Sequence, residues 1–193
     1  MNVIDLRAQT AFYYSTSYFL REPAKQFLQI DADHTIYLSF SLPLWLNNWV
    51  VQRAKLILYK LPPNHICDTV NDPFGRFVLF PLLEPFNVCG CTDSLPAVAL
   101  KRAVPFTSSC KNYTQIDITH IARDWHNNNL ENNGVLLMGK DCAPTIVYAS
   151  SRHGLPQMHP MLRLTCINAK IPLSLQTVDC NVNVSHWTDP GSN

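Results

Sequence analysis

Residues 26–42 read QFLQIDADHTIYLSFSL, and their apolar and polar side chains alternate. Ile36, Leu38 and Phe40 share one face against Tyr37, Ser39 and Ser41, the period-two signature of a half-buried strand. QRAKLILYKLP (52–62) repeats it, with Ala54, Leu56 and Leu58 opposite Lys55, Ile57 and Tyr59. VLLM (135–138), TIVYAS (145–150) and MLRLTCI (161–167) predict further short strands. Turn signals punctuate them: LPPN at 61–64, NDPFG at 71–75, NNG at 132–134 and RHGLP at 152–156. Fourteen prolines argue against a helical bundle. Many short strands with Pro, Asn and Gly between them predict an all-β sandwich or barrel.

One stretch breaks the alternation. DITHIARDWHNNNLENNGVLLMG (117–139) predicts the single helix of the chain, about two turns over His120 to Asn127. Thr119 or Asp117 can cap it, and Ile121 and Trp125 stack at i, i+4 on one face, with Arg123 and Asp124 pointing outward. The Asn-rich exit and the Asn-Asn-Gly turn stop it, because Asn and Gly tolerate the left-handed conformation.

The order of these blocks resembles the DNRLRE-domain family. The carrying segments are TIYLSFSLP, VVQRAKLILYKLP, DITHIARDWHNN…NNGVLLMG, YASSRHG…P and PMLRLTCI. The resemblance spans roughly residues 11–167. It implies a β-sandwich of jelly-roll type, related in shape to carbohydrate-binding modules, and it brings no universal catalytic residues. It divides the chain into a sandwich over 1–168 and a β-patterned extension over 169–193. Residues 62–110 stand out as a long, cysteine-bearing insertion.

Composition narrows the function. The 193 residues are 47% hydrophobic and 15% charged, so a real core is expected and disorder is not. A net charge of +1 without a Lys/Arg block gives no footprint for nucleic acid. Apolar runs fall short of the roughly 18–20 residues that insertion in a membrane needs. The start, MNVIDLRAQTAFYY, shows no signal-peptide pattern.

Candidate chemistry is sparse. His120 and His126 lie six apart, which places them on different helix faces rather than at the i, i+4 spacing of a metal pair. Trp125 with Ile121 is read as a core plug. GxSxG, P-loop and GxGxxG motifs do not occur, so neither a catalytic residue nor a bound metal or cofactor is expected, and the chain is not read as an enzyme. Asp31 and Asp33 are read as a solvated turn before calcium ligands. Trp45 and Trp49 in PLWLNNWVV could form a sugar platform, against the plainer reading of an apolar loop over the sandwich edge. Asn112-Tyr113-Thr114 and Asn183-Val184-Ser185 fit a glycosylation sequon.

The seven cysteines, Cys67, Cys89, Cys91, Cys110, Cys142, Cys166 and Cys180, form no CxxC pair. An odd number leaves one for a neighbouring chain under oxidation. Cys180 is the first candidate for an intermolecular disulfide, then Cys89 and Cys91. Leu173, Leu175, Val178, Val182 and Val184 alternate like strand residues in the extension, and such a segment can add to the sheet edge of another copy. The leading expectation is therefore a self-assembling structural subunit of a bacterial spore or cell-surface fibre or layer. Assembly within a mother cell would reconcile the missing signal with the cysteines. The alternative is a carbohydrate-binding module whose partners are glycans.

Overall fold

The computed structural model describes residues 1–15, 25–62, 76–86, 95–108 and 110–169. Eleven strands and one α-helix follow in chain order: β1 (Asn2–Arg7), β2 (Thr10–Ser15), β3 (Phe27–Ile30), β4 (His34–Ser39), β5 (Trp49–Tyr59), β6 (Phe77–Pro81), β7 (Val104–Phe106), β8 (Tyr113–Asp117), α1 (Thr119–His126), β9 (Val135–Gly139), β10 (Ile146–Ala149) and β11 (Met161–Asn168). Sheet one runs β1-β11-β5-β8 and sheet two β2-β4-β9-β6-β7, with β10-β3 as a separate ribbon. Every pairing is antiparallel. The fold is an all-β sandwich.

Its wrapping has a simple logic. β1 pairs with β11, β4 with β9, β5 with β8 and β6 with β7. These are the nested rungs of one long hairpin, rolled up so that successive rungs fall alternately in sheet one and sheet two. That is the jelly-roll arrangement.

Between the sheets, the inward faces that alternation marked form the core. Ala54, Leu56 and Leu58 of β5 are fully buried, as are Leu162, Leu164 and Cys166 of β11. Ile36 and Leu38 meet them from β4, and Phe77 and Leu79 from β6. The solvent side of sheet one carries the opposite residues. Asp5, Arg163, Lys55 and Asp117 stand in register across its four strands. Arg163 donates from Nε and Nη2 to the two Asp5 oxygens at 2.8 and 2.9 Å.

Three expectations about these elements need correction. Residues 26–42 are two strands, not one: the chain folds back at 31–33, β3 joins β10, and β4 enters sheet two. β4 is covered on both faces rather than half-buried. Tyr37 packs with Phe12, Tyr14, Leu82 and Leu136 in a second cluster on the outside of sheet two, where its ring lies 4.9 Å from that of Phe86. The cover comes from residues 82–86 and 95–99, held by the Leu82–Val98 bridge and by Leu83 N donating to Ala97 O. Finally, the described parts of 62–110 are not an insertion in the sandwich but part of it. They supply β6 and β7, and β6 is an interior strand between β9 and β7.

Two glycines are fixed by space. Gly134 has φ +93°, and a Cβ there would stand 2.5 Å from the Leu38 carbonyl oxygen. A Cβ on Gly139 would collide with the Asp31 carbonyl. Only glycine lets β9 run this close to β4 and to the 31–33 turn.

Candidate functional site

Trp125 and His126 of the helix line a groove at one end of the sandwich. Asp117 Oδ1 accepts both the Thr119 backbone N–H (3.0 Å) and the Thr119 hydroxyl (2.6 Å), so Asp117 supplies the capping oxygen. Ile121, Ala122 and Trp125 turn inward and are buried. Arg123 and Asp124 lie on the outer side as expected, yet neither is idle. Arg123 donates to the carbonyls of Val51 and Gln52, both at 2.8 Å, and Asp124 accepts from Arg102 Nε at 2.5 Å. The Arg123 bonds clamp α1 across the start of β5, and the Asp124 bond ties it to the turn before β7. Asn128, at φ 57°, takes the left-handed conformation that ends the helix.

Beyond that turn the chain runs beneath Trp125. Leu130 is buried, and Asn132 Nδ2 donates to the Phe40 carbonyl at 2.8 Å. This bond joins segments 92 residues apart. It brings 125–132 against the segment 40–47, where Pro43 leads into a 3-10 turn over Leu44–Asn48 with Leu46 buried. Between them lies a groove of about 610 Å³ at one end of the sandwich.

Its lining is mixed. Leu42, Pro43, Leu44, Leu46 and Leu130 give apolar walls, and Gln9, Asn47, His126, Asn128 and Glu131 give a polar rim. Among the described residues no Lys or Arg lines it. Two side-chain atoms of lining residues are sealed from solvent without a partner. Trp125 is 4% exposed and its indole Nε1 has no hydrogen-bond partner. Asn132 Oδ1 is buried and likewise unpartnered. The Phe40 bond fixes which end of the Asn132 amide is nitrogen, so the free atom is the oxygen. Two lining residues thus hold one unmet donor and one unmet acceptor behind the groove surface, where each unmade bond costs about 1–3 kcal/mol.

The histidines do not converge. His126 lines the groove, whereas His120 Nε2 sits 3.4 Å from the Arg102 carbonyl. Among the described residues no group of three or more His, Cys, Asp or Glu could hold a metal ion.

Asp31 is a correction of a different kind. It is 9% exposed rather than solvated. Its Oδ1 accepts from the Asp33 backbone N–H (2.9 Å) and His34 Nδ1 (2.8 Å). Its Oδ2 accepts from Gln29 Nε2 (2.9 Å) and the Thr145 hydroxyl (3.0 Å). A carboxylate has about four lone-pair sites. All are taken, so Asp31 is a structural node that folds the chain back between β3 and β4, with no site left for calcium. Burial pushes its carboxyl pKa up, but the four hydrogen bonds outweigh that and hold it below the ordinary value.

The two tryptophans of the candidate sugar platform differ in burial. Trp49 begins β5 and packs partly buried against the core. Trp45 is 52% exposed on the 3-10 turn, and neither ring lines the groove. Cys142 is an exposed free thiol and Cys166 a buried one, while Cys110 is engaged. The assembly candidates Cys180, Cys89 and Cys91, and the extension residues Leu173, Leu175, Val178, Val182 and Val184, lie outside the described residues. The groove itself was missed in the sequence, where 127–133 was read only as a turn. Five asparagines within seven residues were the available signal.

No family model and no curated protein matches this chain.

Proposed function

We propose that the protein is a non-catalytic jelly-roll binding module that holds a carbohydrate in the groove between 40–47 and 125–132. The observation that carries this reading is the groove itself, about 610 Å³ with aliphatic walls and a polar rim at one end of the sandwich. The rim of Gln, Asn, His and Glu side chains adds further polar contacts of the kind that orient a ligand in a small, mostly preformed site. The test is a glycan array followed by calorimetry on wild type, Asn132→Ala and Trp45→Ala. Binding lost in Asn132→Ala and kept in Trp45→Ala supports the groove. The reverse pattern moves the site to the exposed Trp45, and no retained glycan ends the reading.

A second reading, the self-assembling subunit of a bacterial spore or surface fibre, draws on β1. Among the described residues this strand pairs on one side only, with β11, and Val3 is 62% exposed on it. Such an edge is a template for strand addition from another copy. Kinship with the DNRLRE domains, an exterior location and covalent linkage through Cys180 belong to this proposal. Non-reducing against reducing electrophoresis of wild type, Cys180→Ser and a truncation after Asn168 tests it. A reductant-sensitive ladder lost on truncation supports assembly, and a monodisperse monomer indifferent to truncation removes it.

A further inference from the structure

We propose that β1 pairs antiparallel with β1 of a second copy, about a two-fold axis at Leu6, so that each Asp5 faces the partner's Arg7. This rests on the strand-addition reading and names the incoming strand and its register.

The backbone sets which groups β1 can offer. Ala8 N donates to Pro160 O at 3.0 Å, so this pair, and every second pair before it, is hydrogen-bonded to β11. Leu6, Ile4 and Asn2 therefore direct their N–H and C=O groups at β11. Those of Val3, Asp5 and Arg7 point to the other side, where no strand among the described residues pairs with them. The side chains of these three are exposed, while Ile4 and Leu6 pack against the core.

Charge on an edge strand ordinarily deters pairing. Here the two charges are opposite in sign and stand two residues apart, so they fit a copy of themselves. A two-fold that brings outward groups together can be centred on Ile4, Asp5 or Leu6. Centred on Asp5, it sets two carboxylates face to face. Centred on Ile4, it sets Asp5 opposite Val3 and Arg7 opposite Met1, and neither charge is matched. Centred on Leu6, it sets Asp5 opposite Arg7 twice. Opposite charges directly across a ladder attract, and like charges there repel.

Both groups have bonding capacity left. Asp5 accepts two hydrogen bonds from Arg163, of the roughly four its oxygens can take, and Arg7 uses Nη1 on the Pro156 carbonyl and keeps its other donors. After Ala8 the chain leaves for sheet two, where Gln9 N donates to Ser39 O, so the paired stretch is Ile4 to Ala8 of each copy. The contact uses the same surface on both copies and closes at two. It joins two four-stranded sheets into one.

The experiment uses the full chain. Sedimentation equilibrium should show a monomer–dimer equilibrium that weakens as salt is added. Oxidation and peptide mapping of Leu6→Cys and Ile4→Cys read the register. Facing residues that share no backbone bond lie about 4.5 Å apart, within reach of a disulfide. Leu6→Cys should therefore link to its own copy, and Ile4→Cys should not. Arg7→Glu should weaken dimerisation at least about tenfold, and Arg7→Lys should keep it, with circular dichroism checking that each variant folds. Linkage through Ile4→Cys in place of Leu6→Cys, or an Arg7→Glu dimer as tight as wild type, overturns the charge-matched register and leaves strand addition standing. An oligomer lost on truncation after Asn168, without linkage at Leu6→Cys, overturns the β1 pairing in favour of residues 169–193 as the added strand. A monomer at every concentration, with no linkage, overturns the pairing and the strand-addition reading together.

Discussion

The Thr145 hydroxyl donates to the Asp31 carboxylate at 3.0 Å across 114 residues of chain, which joins the turn after β3 to the residue preceding β10. The β3–β10 ribbon is therefore locked at this end by side chains as well as by its ladder. Asp31→Ala should cost about 1–3 kcal/mol, because it removes the shared acceptor of the half-buried Gln29 and His34 and of the Thr145 hydroxyl. Thr145→Val should cost about 1 kcal/mol. Urea denaturation of the two variants checks both values, and an Asp31→Ala protein as stable as wild type would refute the node.

Acid sensitivity follows from the same group. Asp5, held down chiefly by its hydrogen bond from Arg163, and Asp31, where hydrogen bonds overcome burial, both have carboxyl pKa values below the ordinary one. A carboxyl depressed in the folded state contributes stability that is complete above its unfolded pKa, about 3.9. That contribution disappears as pH falls through the folded value. Stability should hold from neutrality to about pH 5 and decline below about pH 4. The decline should be shallower in Asp31→Asn, as thermal melts across that range would register.

Trp125 fills core volume without making a hydrogen bond from its ring. Trp125→Phe should therefore lose only packing, whereas Trp125→Ala should lose about 3–5 kcal/mol. A Phe variant as damaged as the Ala variant would mean that the indole nitrogen has a partner in the free protein.

Gly134 and Gly154 make a matched pair. Alanine at 134 meets a positive φ and the Leu38 carbonyl, while a Cβ at 154 meets nothing within 4 Å. Gly134→Ala should cost about 1–3 kcal/mol, and Gly154→Ala should stay within about 0.5 kcal/mol of wild type. Chemical denaturation of both decides.

The two free thiols among the described residues should separate by reactivity. Cys142 is exposed, whereas Cys166 is fully buried and its thiol pKa is pushed up by that burial. Brief alkylation followed by peptide mapping should label Cys142 and spare Cys166 until denaturant is added.

Much of this architecture was legible in the sequence where one face of an element alone decides its burial. β5, β9, β10, β11 and α1 fall where alternation or the Ile121/Trp125 stack placed them. The misses share a cause. FVLFP and VPF carry prolines and no clean alternation, yet Pro81 ends its strand and Pro105 sits on β7, an edge of sheet two where a missing N–H is tolerated. Tyr37 reads as the polar face of β4 until Phe12 and Phe86 close over it. The groove depends on Asn132 reaching Phe40, a contact that local periodicity does not encode.

The pairing of β1 with β11 has a consequence for synthesis. Asp5 and Arg163, partners in the outer row, are 158 residues apart. At about 5–20 residues per second on a ribosome, the first strand waits roughly ten to thirty seconds for its mate. Sheet one cannot close during that time. A bystander that covers Val3 and Ile4 in the interval would raise yield without changing the finished molecule.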